Sequence, residues 1–85
     1  MNELRVIGIL VPDRINDAVK LQQALTKYGC SIKTRLGLHE ASSETCARNG
    51  LIILELTGKK EEWDALEKEL SAIDGTKIQK MSFAL

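Results

Sequence analysis

The chain has 85 residues, the length of one small domain (1–85), and its 12 lysines and arginines balance 12 aspartates and glutamates. The zero net charge argues against direct nucleic-acid binding and against an anionic membrane as partner, since both need a basic surface. The sequence shows no signal peptide and no apolar run of the roughly 20 residues that cross a bilayer. Its two cysteines have no nearby cysteine partner, so the chain is predicted to be cytoplasmic and reduced. A domain this small buries only about 60% of its unfolded surface, so oligomerisation would supplement its core.

Residues 4–11 predict the first strand. Aliphatic side chains lie on both of its faces, as in a strand buried between two layers. Ile7, Ile9 and Val11 share one face, and the alternation does not show whether that face meets the helices. Pro12 ends the strand because proline cannot donate a hydrogen bond to the ladder.

The next segments predict a helix, an edge strand and a loop. Asp13 is a suitable N-cap for a helix over residues 14–28, and Gly29 would end that helix as a C′ residue does. Residues 31–38 alternate, which predicts an edge strand with one wetter face. Residues 39–49 are polar and aperiodic, as a loop would be. The residues predicted to share one face of the second strand are Ile32, Thr34, Leu36 and Leu38.

The second half of the chain repeats the pattern of strand, helix and strand. Residues 50–57 are apolar on both faces and predict a second buried strand. Thr57 or Gly58 would cap a helix that closes at Asp74-Gly75, and residues 76–84 alternate as a last strand. The apolar residues of that helix recur at steps of three and four, at Trp63, Leu66, Leu70 and Ile73.

The order β-α-β-β-α-β predicts an α+β, ferredoxin-like sandwich. Right-handed crossovers put both helices on one face of a four-stranded antiparallel sheet of order 4-1-3-2, with the two doubly apolar strands in its centre. The other face stays apolar, which predicts a homo-oligomer, dimer or tetramer, formed through that face or through an edge strand. The alternative is that a monomer tolerates these side chains on its surface. The predicted interface residues are Ile7, Ile9, Arg35, Met81 and Phe83.

No arrangement of residues predicts catalysis or a cofactor. The chain has one histidine and lacks a Gly-x-Ser-x-Gly motif, a phosphate loop and a cluster of paired carboxylates. Acylphosphatases and metal chaperones share the topology, but the first needs a glycine-rich loop with arginine after the first strand and the second needs Cys-x-x-Cys there. We therefore expect a protein that is not an enzyme.

A small ligand is predicted at the turn Val11-Pro12-Asp13-Arg14, because backbone N–H groups at a helix N-terminus favour anions. The alternative is that Arg14 is an ordinary first-turn residue. Arg35 has three possible roles: an anion site shared with Arg48, a salt bridge between subunits, or simple solvation.

No metal site is predicted. Three potential ligands, His39, Glu40 and Cys46, lie in or beside the 39–49 segment, but their spacing matches no compact zinc pattern. Cys30 is expected to be a small buried residue.

Several stretches of the chain resemble one family in their order and spacing. They are Arg5 to Val11 followed by Asp13-Arg14, Arg35 to Leu38, Asn49 to Leu54, and Leu66 to Gly75 followed by Lys77-Ile78. Together they resemble the iron-only hydrogenase system regulators over nearly the whole chain. That family is similar in fold to the C-terminal domain of the nickel-responsive repressor and to ACT domains, which bind small ligands and assemble through their sheets.

The resemblance implies an ACT-like oligomer that takes part in transcriptional regulation of a hydrogenase or another metalloenzyme system. The chain departs from the related folds in three ways. Its first strand begins by residue 4, where the repressor has a DNA-binding segment; its one histidine cannot form a histidine-rich nickel site; and Pro12-Asp13-Arg14 lacks the glycine of many ACT loops. The leading hypothesis is a ligand-sensing regulatory module. The alternative is a structural module that docks another protein through its sheet face or edge, without a ligand.

Overall fold

The structure, a computed structural model, describes residues 2–11, 14–38 and 50–85, and the side chains of residues 2–11, 19–37 and 50–85. The elements are β1 (Glu3–Val11), α1 (Arg14–Lys27), a 3₁₀ turn (Gly29–Ser31), β2 (Ile32–Leu38), β3 (Gly50–Leu56), α2 (Lys60–Ser71) and β4 (Lys77–Ala84). Neither of the described helices is long and apolar enough to span a membrane.

The four strands form one antiparallel sheet in the order β2-β3-β1-β4. This confirms the predicted α+β, ferredoxin-like fold, with the doubly apolar strands in the centre. β1 pairs with β3 from Val6 opposite Glu55 to Val11 opposite Gly50. On its other side, β1 pairs with β4 from Glu3 opposite Ala84 to Leu10 opposite Lys77.

Both helices pack against the same face of the sheet, which we call the covered face. The register fixes its membership, because residues directly opposite each other in an antiparallel pair point to the same side. Ile7 lies opposite Leu54, and both side chains are fully buried in the core. The core residues are Ile7, Ile9, Val11, Leu54 and Leu56 from the sheet and Leu21, Ala24, Leu25, Tyr28, Trp63, Leu66, Leu70 and Ile73 from the helical side.

The covered face shows which side of β1 meets the helices, which the alternation of its residues left open. Ile7 and Ile9, assigned from the sequence to an oligomer interface, lie in the protomer's own core and have no exposed surface. The β1 residues on the opposite face are Leu4, Val6, Gly8 and Leu10. Any interface on that side therefore uses those residues, and Ile7 and Ile9 stabilise the protomer instead.

A bulge in β2 changes which of its side chains share a face. Ile32 pairs with Leu56, but the next pair is Thr34 with Glu55, so one residue is inserted between them. Ile32 packs against the core, whereas Thr34 and the residues after it are out of phase with Ile32. The prediction that Ile32 shares a face with Thr34 and Leu36 was wrong, since strict alternation assumes an unbroken ladder.

Two predicted helix ends also differ from the structure. α1 ends at Lys27, one residue before its predicted end, and Gly29 then begins the 3₁₀ turn. The described glycines with positive φ are Gly58 and Gly75 (φ 83° and 82°). The N-cap of α2 is Lys59, which makes no side-chain capping bond, instead of Thr57 or Gly58. Gly58 takes the left-handed turn just before that cap, a conformation that favours glycine because it has no Cβ.

Candidate functional site: the open face of the sheet

The sheet face that points away from both helices is the main candidate for function. We call it the open face. Five of the seven exposed large apolar residues of the described chain lie on it, namely Leu10, Leu36, Leu51, Met81 and Phe83. Single exposed apolar residues are ordinary on protein surfaces, but a contiguous patch of several hundred Å² marks an interaction site.

The apolar side chains form a diagonal band across the open face. The band runs from the start of β3 and the end of β2 towards the far end of β4. Its members, which we call the apolar band, are Leu36, Leu51, Ile53, Leu10, Val6, Leu4, Met81 and Phe83. Leu4, Val6 and Ile53 are half-buried by their neighbours, and the other five are more exposed.

Polar residues occupy the two corners that the apolar band leaves. Lys77 and Gln79, which we call the basic corner, begin β4 and are exposed. Thr34 and Glu55, the acidic corner, lie diagonally across the face on β2 and β3. Thr34 Oγ1 donates a hydrogen bond to Glu55 Oε1 (3.2 Å), and Lys33 Nζ lies 3.8 Å from Glu55 Oε2. These exposed contacts neutralise the carboxylate only weakly.

The predicted interface residues therefore do not share one surface, since they lie in the core, on the open face and at the edge of the sheet. Met81 and Phe83 lie on the open face, as an interface there requires. Arg35 is exposed but pairs with Leu54, so it lies on the covered side of β2, at the sheet edge. Assembly through these residues stays a prediction. Cys30 is exposed, and its predicted burial was wrong because the 3₁₀ turn carries it outside the core.

The predicted ligand turn is described only at its two ends. Val11 is a core residue with its side chain buried, so it offers a ligand no side-chain contact. Arg14 is the first residue of α1, and Pro12 and Asp13 lie outside the described residues, as do the candidates of the 39–49 segment. Within the described ranges, no group of three potential ligands could hold a metal ion.

Sequence reasoning missed a buried arginine on the covered face. The Arg5 side chain is only 5% exposed, and its guanidinium donates from Nε to Glu3 Oε2 (2.7 Å) and from Nη1 to Asp64 Oδ1 (3.0 Å). The same Nη1 also donates to Glu67, and the guanidinium carbon lies 5.3 Å from the centroid of the Trp63 ring. The available signal was an arginine inside the otherwise apolar run 4–11, since an arginine there needs buried acidic partners.

Arg5, Glu3, Asp64 and Glu67 form what we call the Arg5 cluster, in which every charged group has an oppositely charged partner. Arg5 and the hydroxyl of Ser82 both donate to Glu3, which lowers the pKa of that carboxyl from 4.5 to about 2. Glu3 and the other acidic groups in turn raise the pKa of Arg5. Lys80 Nζ lies 3.1 Å from Glu67 Oε1 and adds a further positive charge. A carboxylate that stays ionised throughout the neutral range is poorly suited to general acid–base work.

A cleft lies beside the Arg5 cluster, at the end of the sheet opposite the predicted ligand turn. Its volume is about 350 Å³, within the range of small-ligand sites. Lys60 and Glu3 supply opposite charges, with Lys60 Nζ 3.5 Å from Glu3 Oε1. The lining residues are Asn2, Glu3, Leu56, Thr57, Gly58, Lys60, Trp63 and Leu85. Trp63 Nε1 donates to the Thr57 carbonyl oxygen (2.7 Å), which fixes the indole against the cleft.

Comparisons with solved structures identify the same fold in proteins of several kinds. An uncharacterized protein from Thermotoga maritima is 20% identical, with a TM-score of 0.79 over 98% of this chain and 100% of that one. A nitrogen regulatory PII-like protein from Thiomonas intermedia K12, bound to ADP, AMP and bicarbonate, is 13% identical (TM-score 0.59, 99% of this chain and 93% of that one). A dimeric ferredoxin-like protein from an uncultured marine organism is 5% identical (TM-score 0.50, 98% and 94%).

At these identities the likeness shows a shared ferredoxin-like fold, and function does not follow from fold alone. The similarity extends over nearly the full length of each of these three chains. No protein-family model matches the sequence, and neither does any curated protein.

Proposed function

We propose that this protein is a non-enzymatic regulatory module that works as a homo-oligomer and responds to a small effector. The observation that carries the proposal is the open face, because a four-stranded sheet with helices on one side exposes a contiguous apolar surface that a lone soluble domain rarely keeps. In the finer form of the proposal, the module regulates a metalloenzyme system such as a hydrogenase. The family resemblance in the sequence supports that form.

The structural neighbours support a regulatory role. One of them is a PII-like regulatory protein bound to nucleotides and bicarbonate, and another is described as dimeric. Both are distant, so neither assigns a ligand to this chain. They do illustrate that the fold serves as a scaffold for effector binding and for assembly.

Two places on the chain are candidates for the effector site. The first is the predicted turn from Val11 to Arg14. The second is the cleft beside Trp63, where Lys60 can attract an anionic group and the indole offers an apolar wall. The chain's own charges there, one ammonium and one carboxylate, favour a small polar ligand over a hydrophobic one.

A thermal-shift screen tests effector binding. Adenine nucleotides, amino acids, bicarbonate and divalent metals would each be added to the purified chain. A true ligand at 100 times its Kd stabilises the fold by about 2.7 kcal/mol and raises Tm. No shift with any member of the panel would contradict the ligand-sensing part of the proposal.

Three variants locate any binding that the screen detects. Lys60→Glu should abolish binding in the cleft, whereas Lys59→Glu, at an exposed neighbour that does not line the cleft, should leave it intact. Arg14→Ala tests the turn. Loss of binding in Arg14→Ala alone would place the effector at the turn, and loss in Lys60→Glu alone would place it in the cleft.

The alternative function is a docking module without a ligand, and the same open face favours it. Light scattering over a range of protein concentrations, with reductant present, discriminates the two. A dimer or tetramer supports the regulatory oligomer. A monomer at every concentration contradicts it and leaves the open face for a different protein.

A further inference from the structure

The open face is large enough for a stable contact with another protein. Four strands about 4.8 Å apart, each contributing about seven residues of about 3.3 Å, cover roughly 450 Å² in projection. The accessible area exceeds this projection because side chains stand up from the sheet. The projection alone is about half of the ~800 Å² per partner of a standard interface, and the accessible area is larger.

The arrangement of polar corners limits how two copies can meet. In a two-fold dimer the same patch faces itself, so each residue of the open face must lie over a compatible residue of its copy. A two-fold axis along the strands would place Glu55 over Val6, and an axis across the strands would place Lys77 near Phe83. Both arrangements bury a charge against an apolar side chain, which costs free energy.

A third axis avoids this cost. When the two-fold axis runs along the apolar band, the band of one copy lies over the band of the other. Each polar corner of one copy then lies over the opposite polar corner of the other copy. The basic corner, Lys77 and Gln79, then lies over the acidic corner, Thr34 and Glu55. Each dimer contains this contact twice. The weak screening of Glu55 by Lys33 and Thr34 within one chain leaves its carboxylate available for the second contact.

We propose that a second copy of this chain covers the open face, with the two-fold axis along the apolar band and with the basic corner of each copy against the acidic corner of the other. This inference rests on the proposed homo-oligomer and names its interface. The band supplies the apolar burial, and the corners set the orientation, because opposite charges across an interface select one register over others.

A charge exchange tests the orientation. Glu55→Lys and Lys77→Glu each place like charges in both corner contacts and should raise the Kd of the dimer about tenfold or more. The double variant Glu55→Lys with Lys77→Glu restores opposite charges and should return the Kd close to the original value. An equimolar mixture of the two single variants should form heterodimers, since both of its corner contacts are again attractive. Sedimentation velocity across a dilution series measures all four samples.

Controls separate this orientation from other outcomes. Lys68→Glu changes an exposed lysine of α2 on the covered side and should leave the Kd unchanged. Gln79→Glu adds a negative charge near Glu55 of the other copy and should weaken the dimer, so it tests the same contact in place of a single variant that folds poorly. Circular dichroism checks the fold of every variant.

Two results would overturn the inference in distinguishable ways. A wild-type oligomer whose Kd does not respond to Glu55→Lys and Lys77→Glu, or whose loss is not restored by their combination, refutes the orientation and leaves the proposed function standing. A wild-type chain that is monomeric at every concentration refutes the homo-oligomer itself.

Discussion

The two faces of the sheet are built from the same central strands but have opposite environments. On β3, Leu54 is 0% exposed on the covered face, and its near neighbour Leu51 is 37% exposed on the open face. Both are leucines in one apolar run, and they differ only in which side of the strand they occupy. The difference shows that the two helices, and not the composition of the strand, decide which apolar residues form the protomer's core.

The charged residues of the two faces also differ in whether they find partners within their own chain. On the covered face, Arg5 has three acidic partners within its own chain. On the open face, Lys77 and Glu55 stand at opposite corners, too far apart to contact each other. The covered face is therefore complete within one chain, while the open face has a charge pattern that a second chain can complete. Variants that change one face at a time test this contrast.

Removal of core volume should separate the two faces most clearly. Leu54→Ala should lower the free energy of unfolding by about 2–5 kcal/mol, because the buried leucine leaves a cavity that its neighbours fill only in part. Leu51→Ala, the matched change on the open face, should cost about 1 kcal/mol or less. Urea denaturation at protein concentrations that favour the monomer measures both. Equal losses would mean that the open face is as tightly packed as the core.

The Arg5 cluster should give the next largest effect. Arg5→Met leaves Glu3 and Glu67 mostly buried without their main cation, which should cost up to about 3 kcal/mol. Solvent around Asp64, which is exposed, keeps the cost below that of a fully buried pair. The triple change Arg5→Met with Glu3→Gln and Glu67→Gln should recover part of the loss.

The matched control for Arg5 is Lys27→Met, which breaks the exposed ion pair between Lys27 and Glu69. Glu69 raises the pKa of Lys27, and Lys27 lowers that of Glu69, but water screens the pair. Urea denaturation should show a much smaller loss for Lys27→Met than for Arg5→Met. Similar losses in the two variants would contradict the special role of the buried arginine.

The apolar band should control association and not folding. Met81→Asp puts a charge in the band and should weaken the dimer by about 2 kcal/mol, or roughly 30-fold in Kd. Val19→Asp makes the same kind of change at an exposed apolar residue of α1, remote from the open face, and should leave the Kd unaltered. Sedimentation measures both. A dimer that tolerates Met81→Asp but fails in Val19→Asp would place the interface on the helices.

The pattern of apolar residues predicted the fold because each element of this chain carries either a doubly apolar run or a period of its own. The apolar runs of β1 and β3 predicted the central strands, and their helix-length connections predicted the order of the sheet. The boundaries were less accurate where the backbone departs from a regular ladder. The bulge after Ile32 and the 3₁₀ turn at Gly29 insert residues that no apolar pattern records.

The candidate site was only partly predictable for a different reason. The sequence indicated that one apolar face would be left uncovered, but both faces of β1 are apolar, and side-chain period cannot show which one the helices meet. Ile7 and Ile9 were therefore assigned to the wrong side. Met81 and Phe83, predicted as interface residues, lie on the open face, and their role in assembly stays a prediction. Glu3 is a local partner of Arg5, but Asp64 and Glu67 lie about 60 positions away in the chain, beyond any local pattern.

The smallest expected effect concerns the pH dependence of the covered face. The pKa of Glu3 is about 2 in the folded chain and 4.5 ordinarily, so the folded state favours its ionised form. This contribution to stability is fully present above pH 4.5 and is lost as the pH falls from 4.5 towards 2. Glu3→Gln should therefore be less stable than the unaltered chain at pH 7, by less than Arg5→Met because Asp64 and Glu67 still pair with the guanidinium. The gap between the two urea midpoints should close as the pH approaches 2. A gap that stays constant from pH 7 to the most acidic sample would show that Glu3 contributes through packing and not through its charge.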